Sequence, residues 1–136
     1  MIIEINPNKK LKDINSAFTK VYPFLKLEFF SKSHKWQESS SVLQLLQQDQ
    51  TVSEVTHSLL CSGFIELHYW QKTGVIEMMF LHQFNLSVQV YRKNGDNWIQ
   101  TSGSDELTLE EQNEAGLKDS EIHGGFARTA DMEKNI

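Results

Sequence analysis

Apolar residues near the start of the chain change their spacing twice, which predicts a strand, a helix and a second strand. Ile3 and Ile5 alternate with polar neighbours, as in a half-buried strand. An apolar stripe at helical spacing follows at Leu11, Ile14, Phe18 and Val21. Pro23 ends this helix because its ring clashes with the preceding turn. Alternation then returns at Leu25, Leu27 and Phe29.

The same pattern recurs after a constant shift of 62 positions, which becomes 61 beyond the helix. Ile3 and Ile5 correspond to Ile65 and Leu67. In the helix, the first-copy residues Ile14, Ala17, Phe18 and Tyr22 correspond to Ile76, Met79, Phe80 and Phe84. In the last strand, Leu25, Leu27, Phe29 and Phe30 correspond to Leu86, Val88, Val90 and Tyr91. We therefore expect a tandem β-α-β repeat whose core brings together Ile5, Phe18, Leu67 and Phe80.

We expect a single domain, residues 1–117, that contains the two repeats together with a linker between them and a segment after them. Repeat one covers 1–32, a helical linker 33–62, repeat two 63–93, and a hairpin strand with a short helix 94–117. Capping-box patterns start helices at Thr51 and at Thr108, and Gly116 is a plausible C-terminal stop for the second. Asn94-Gly95 predicts a tight hairpin turn. The polar residues 118–136 predict a flexible acidic tail.

This order of elements resembles the ferredoxin-like fold, a β-α-β-β-α-β two-layer sandwich of the α+β class. The run from Leu86 to Gly95, with Trp98 and the segment 108–114 behind it, also resembles a group of small bacterial proteins. That second resemblance covers about residues 1–32 and 63–116 and implies no known activity. Fold alone does not imply function.

Charge and cysteine content narrow the class of protein. Residues 1–103 hold ten Lys and Arg against nine Asp and Glu, whereas residues 104–136 hold three against nine. A near-neutral body with an acidic tail is not typical of a protein that neutralises many phosphates. The single cysteine, Cys61, excludes an internal disulfide, and no run approaches the roughly 18 apolar residues of a membrane span. We expect a cytoplasmic protein without cofactor or metal.

Large aromatic residues fall on strand positions that should face away from the helices. The repeat places Phe30, Phe64, Trp70 and Tyr91 on this outer sheet face. An exposed apolar face is either covered by the chain itself, here by residues 42–60, or is an interaction surface for a partner or a second copy. Arg92, Lys93 and Trp98 predict a basic, aromatic hairpin tip that could contact an acidic partner.

Two alternatives remain beside this interpretation as a non-enzymatic protein-binding or scaffold module. Residues 62–69 partly follow the signature strand of the RNA-recognition motif, a single-stranded nucleic-acid-binding domain, but Glu66 replaces a stacking aromatic and Glu4 lies on strand one. Nucleic acid is therefore an unfavoured partner. A small enzyme could instead use His57 with Cys61, four residues apart, or His68 beside Glu66. A buried structural Cys61 is the simpler interpretation.

Overall fold

The structure is a computed structural model that describes residues 1–31 and 38–121, and within these ranges five strands and four helices follow one another. They are β1 (Ile2–Ile5), α1 (Leu11–Val21), β2 (Leu25–Phe30), α2 (Val52–Thr56), β3 (Gly63–Glu66), α3 (Thr73–Phe84), β4 (Ser87–Asn94), β5 (Asn97–Gln100) and α4 (Leu109–Ser120). Short 3₁₀ turns lie at Val42–Gln44 and Ser102–Ser104. The predicted α+β class is confirmed.

The strands form two antiparallel sheets instead of one. β1 pairs with β3, and β2, β4 and β5 form a three-stranded sheet in the order β2-β4-β5. The ferredoxin-like order is not confirmed, because in the described part of the chain no ladder joins β1 or β3 to β2 or β4. Periodicity predicts which residues form strands, but it does not determine which strands pair.

Both ladders join a strand of the first predicted copy to the matching strand of the second. Ile3 lies opposite Ile65 in the β1–β3 pair. Glu28 lies opposite Gln89 in the β2–β4 pair. Each of these pairs consists of residues that the sequence shift relates, so the two units meet strand against matching strand. The repeat itself stays a prediction.

One apolar core lies between the sheets and the helices. Ile5, Phe18, Leu67 and Phe80 are all fully buried in the same cluster, as the aligned apolar positions predict. The stripe of α1 contributes Leu11, Ile14 and Phe18. Burial of such side chains is the main favourable term in folding, about 1.5–3 kcal/mol for each large apolar residue. The core therefore fixes the inner face of every strand in the two units.

Both predicted capping boxes are present. The Thr51 hydroxyl accepts from the Glu54 N–H at 3.3 Å while the Glu54 carboxylate accepts from the Thr51 N–H at 2.7 Å. Thr108 and Glu111 exchange the same two bonds at 3.1 and 2.9 Å. These reciprocal bonds satisfy backbone donors that have no partner in the first helical turn.

Gly116 does not end α4, and the expected stop at 116–117 is wrong. The helix continues to Ser120, and Gly116 lies inside it where a Cβ atom would stand 2.8 Å from Cβ of Phe24. This glycine therefore allows the close approach of α4 to the loop before β2. Residues 118–120 of the expected tail are helical, and residues 122–136 lie outside the described residues.

The hairpin between β4 and β5 is present one residue later than Asn94-Gly95 predicts. Asn94 is the last residue of β4 and lies opposite Asn97, so the two loop residues are Gly95 and Asp96. Of these two, only Gly95 has a positive φ, at 66°. A turn with positive φ at its first central position needs glycine there and not at the second.

Residues 38–53 run along the outside of β2 and return to α1. The Leu46 N–H donates to the Phe29 carbonyl at 2.8 Å, and the Ser31 N–H donates to the Gln44 carbonyl at 2.8 Å. The Leu11 N–H then donates to the Gln50 carbonyl at 2.9 Å. The predicted helical linker therefore contains one 3₁₀ turn and the five-residue α2; its residues 33–37 lie outside the described part of the chain. Over residues 1–31 and 38–121, no helix combines the length and apolar character needed to cross a membrane.

Candidate interaction surfaces

The outer face of the three-stranded sheet is covered by the chain itself. Phe30, which the sequence places on this outer face, is only 3% exposed, and the backbone of Leu45 bridges to it along the edge of β2. Phe30 is therefore covered and does not offer its ring to a partner. Further along the same face the Gln48 amide donates to the Glu28 carboxylate at 2.6 Å. Cover by residues 42–60 was one of the two outcomes expected from the sequence.

Ser40 is held over the other side of this face. The Gln100 side chain accepts from the Ser40 N–H at 2.9 Å and donates to the Ser40 carbonyl at 2.9 Å. The same amide donates to the Tyr91 hydroxyl at 3.1 Å. Tyr91 is consequently half-buried beneath the segment and is not free to stack on a ligand.

The hairpin tip carries a layered cluster of cations and rings. The Lys26 ammonium lies 5.0 Å from the Trp98 ring centre and 5.4 Å from that of Tyr91, and the Lys93 ammonium lies 5.1 Å from Trp98. Both cations are thus already engaged with the rings. Arg92 points to the opposite face, where it donates to Gln112 at 3.0 Å and lies 3.6 Å from the Asp119 carboxylate. The predicted basic tip therefore contains Lys93 and Trp98 but not Arg92.

The outer face of the β1–β3 pair is bare. Ile2 is 64% exposed and Phe64 is 67% exposed, and the two are diagonal neighbours because Ile2 lies opposite Glu66 while Phe64 lies opposite Glu4. Trp70, 60% exposed, continues the surface through His68, whose ring stacks on the indole at 5.1 Å. We call the surface formed by Ile2, Glu4, Phe64, Glu66, His68 and Trp70 the bare face.

Two carboxylates, those of Glu4 and Glu66, lie among the apolar side chains of the bare face. The Glu66 carboxylate lies 3.3 Å from the His68 imidazole; the Glu66 side chain is 61% exposed and that of His68 is 38% exposed. Glu4 and Phe64 lie opposite each other in adjacent strands, so the carboxylate and the ring share one patch. This arrangement favours a ligand with apolar groups and positive charge, and it disfavours a phosphate backbone.

Both edges of the β1–β3 pair are open. The N-terminal ammonium donates to the Leu67 carbonyl and the Leu67 N–H donates to the Met1 carbonyl, both at 2.8 Å, so Met1 and Leu67 form a hydrogen-bonded pair. Hydrogen-bonded pairs recur at every second position of an antiparallel ladder, so Ile3 and Ile65 form the next one. The backbone groups of Ile2 and Glu4 on β1, and of Phe64 and Glu66 on β3, therefore point away from the partner strand. Within residues 1–31 and 38–121 these outward groups make no hydrogen bond.

The three-stranded sheet, in contrast, has two of its outward N–H groups, one on β2 and one on β4, bonded to helix side chains. The Leu27 N–H donates to Asn15 Oδ1 on α1 at 2.7 Å. The Val90 N–H donates to Glu77 Oε2 on α3 at 2.8 Å, and the Gln89 amide donates to the same oxygen at 3.0 Å. Asn15 and Glu77 occupy corresponding positions of the predicted repeat.

Glu77 is a buried carboxyl that the sequence analysis did not single out. Burial, more than any other cause, raises its pKa to about 8; nearby Asp105 adds to this, while the Val90 N–H opposes it. The sequence of α3 indicates that this carboxyl is buried, because the helix is apolar on nearly all sides and Glu77 is its one acidic residue.

The Cys61 and His57 arrangement lacks the features of a nucleophilic site. Burial raises the pKa of the Cys61 thiol, and its Sγ donates to the Phe84 carbonyl at 3.3 Å. An active thiolate needs the opposite shift. His57 ends α2 in the left-handed conformation, with φ of 57°. Among the described residues, no three His, Cys, Asp or Glu side chains are grouped to hold a metal ion.

Comparisons with known proteins add no family or function. The chain matches no protein-family model, no curated protein and no solved structure. Any function must therefore be argued from the surfaces described above.

Proposed function

We propose that the chain is a non-enzymatic protein-binding module of the bacterial cytoplasm and that the bare face is its binding surface. The observation that carries this proposal is the exposure of Ile2, Phe64 and Trp70, each at least 60%, on adjoining positions of one surface. Single exposed apolar residues are ordinary on soluble domains, whereas contiguous ones mark interaction sites. Aromatic side chains are also enriched at the centres of interfaces.

The charges of the bare face favour a protein partner over nucleic acid. Glu4 and Glu66 lie beside the exposed ring of Phe64, where an RNA-binding sheet would offer stacking rings and cations. β1 and β3 contain neither Lys nor Arg. A second copy of the chain would bring further carboxylates to the same surface, so a basic and apolar partner is the better match.

Quantitative affinity purification from the cells that encode the chain tests this proposal. The baits are the native protein, the double variant Phe64→Ser/Trp70→Ser, and Val21→Ser as a matched control. Val21 is 50% exposed at the end of α1, outside the bare face, so Val21→Ser removes an exposed apolar side chain elsewhere on the surface. We expect the native and control baits to retain a common partner that the double variant loses at least tenfold.

Circular dichroism of the three baits is needed to show that they are equally folded. Equal recovery of every partner by the double variant would contradict the assignment of the bare face. Light scattering over a range of protein concentrations separates a second copy from a different partner. A dimer that the double variant alone abolishes would replace the proposed basic partner with the chain itself.

A further inference from the structure

The open edge of β3 gives the bare face a second means of recognition, through the backbone. The outward N–H and C=O groups of Phe64 and Glu66 make no hydrogen bond in the part of the chain that the structure describes, and both side chains are exposed. Unpaired groups at a sheet edge are a template for a further strand. A two-stranded pair is also short of the three or more strands that make a sheet independently stable.

We infer, on the basis of the proposed function, that the partner binds by adding a strand to the open edge of β3. The added strand is an extended segment that carries a basic residue two positions from an apolar one. Residues directly opposite in adjacent strands share a face. The partner residue opposite Glu66 would then carry the positive charge, and the residue opposite Phe64 would carry the apolar side chain. The residue between them points away from the bare face.

Trp70 extends this surface beyond the C-terminal end of β3. It is 60% exposed and stacks on His68, whose ring lies 3.3 Å from the Glu66 carboxylate. An extended peptide that runs past Glu66 therefore meets a further apolar side chain. The pattern expected in the partner is an apolar residue opposite Phe64 and another at the end near Trp70, with Lys or Arg opposite Glu66.

Neither strand of the β1–β3 pair contains the complement of β3. β3 and β1 lack Lys and Arg, so neither strand of a second copy can place a cation opposite Glu66. Pairing of two β3 strands centred on Ile65 would instead set Glu66 against Phe64. We therefore expect the added strand to come from another protein and to carry the positive charge that Glu66 requires.

Selection from a displayed library of random ten-residue peptides on the full chain provides the probe. We expect enriched peptides to share a basic residue two positions from an apolar or aromatic one. The affinity of these peptides should be at least tenfold lower for the Glu66→Lys variant than for the native protein. Peptides that carry Glu in place of the basic residue should bind this variant with the affinity restored. Glu114→Lys, on the exposed surface of α4, is the matched charge control and should leave binding unchanged.

Backbone N-methylation of one enriched peptide then tests strand addition itself. Methyl groups at alternate residues whose N–H groups face β3 should abolish binding, whereas methyl groups at the intervening residues should leave it within about twofold. Equal tolerance at both sets would overturn strand addition while leaving protein binding by the bare face intact. Absence of any enriched peptide, or enrichment without the basic and apolar pattern, would also overturn it.

Discussion

The two sheets of this protein have strands of the same alternating kind, yet one sheet is covered on its outer face and the other is bare. In the three-stranded sheet, Ser40 lies over the outer face, Leu45 bridges to the edge of β2, and Phe30 is buried. In the β1–β3 pair, Phe64 occupies a similar outward position and is two-thirds exposed. Alternation alone does not distinguish these cases, since it reports only which side chains face the core.

The edges of individual strands differ in a similar way. Asn15 and Glu77 accept the outward N–H groups of Leu27 and Val90, and the Leu46 N–H donates to the Phe29 carbonyl at the outer edge of β2. Among the described residues, the outward groups of Phe64 and Glu66 make no equivalent bond. A strand whose face and edge are both satisfied is structural, whereas one that is open in both respects is available for binding.

The largest expected difference between the regions is in the pH dependence contributed by Glu77, which closes the edge of β4. Its pKa rises from 4.5 to about 8 on folding, so the protonated form stabilises the native state. That contribution is complete below pH 4.5 and is lost as the pH rises to 8. At about 1.36 kcal/mol per pKa unit, the loss of unfolding free energy is on the order of 5 kcal/mol.

Urea denaturation of the native protein and Glu77→Gln from pH 5 to pH 9 measures this effect. The Gln variant keeps an acceptor oxygen for the Val90 N–H but does not ionise. We expect the native protein to lose stability relative to the variant across this range. Identical pH profiles for the native protein and Glu77→Gln would show that Glu77 is not held in its neutral form.

A matched pair of Phe substitutions tests the difference between the covered and bare faces. Phe30→Ala removes a buried ring and leaves a cavity under residues 44–46, which should cost about 3 kcal/mol of unfolding free energy. Phe64→Ala removes an exposed ring and should change stability by no more than about 0.5 kcal/mol. Chemical denaturation of both variants is the measurement. Equal costs would mean that the β1–β3 face is also covered in solution.

The sequence was sufficient to predict the core but not the arrangement of its strands. Ile5, Phe18, Leu67 and Phe80 meet as expected because burial imposes the periods of two and 3.6 on each unit. Strand pairing was not predictable in this way, since β2 has the same alternation whether it lies beside β3 or β4. The α+β class therefore followed from the pattern, and the division into two sheets did not.

The candidate site was predictable in part. The repeat predicts Phe64 and Trp70 as outward aromatics, and both are exposed. It predicts Phe30 and Tyr91 as outward in the same way, but the path of residues 40–46 covers them, and no local pattern specifies that path. Arg92 and Lys93 are adjacent in sequence, but successive residues of a strand point to opposite faces, so they do not share one tip surface. The open edge of β3 depends on pairing and so was not predictable.

The smallest expected difference concerns the closure of the β2 edge by Asn15. Asn15→Leu removes the acceptor of the Leu27 N–H and leaves a donor in a partly buried position, which should cost about 1–2 kcal/mol. Glu4→Leu, at the open edge of β1, removes no such acceptor and should change stability by less than about 0.5 kcal/mol. Hydrogen exchange at the Leu27 amide should quicken in Asn15→Leu only. If Asn15→Leu lowered the unfolding free energy no more than Glu4→Leu does, the Asn15 side chain would not stabilise the β2 edge, and the backbone bonds of residues 44–46 alone would close it.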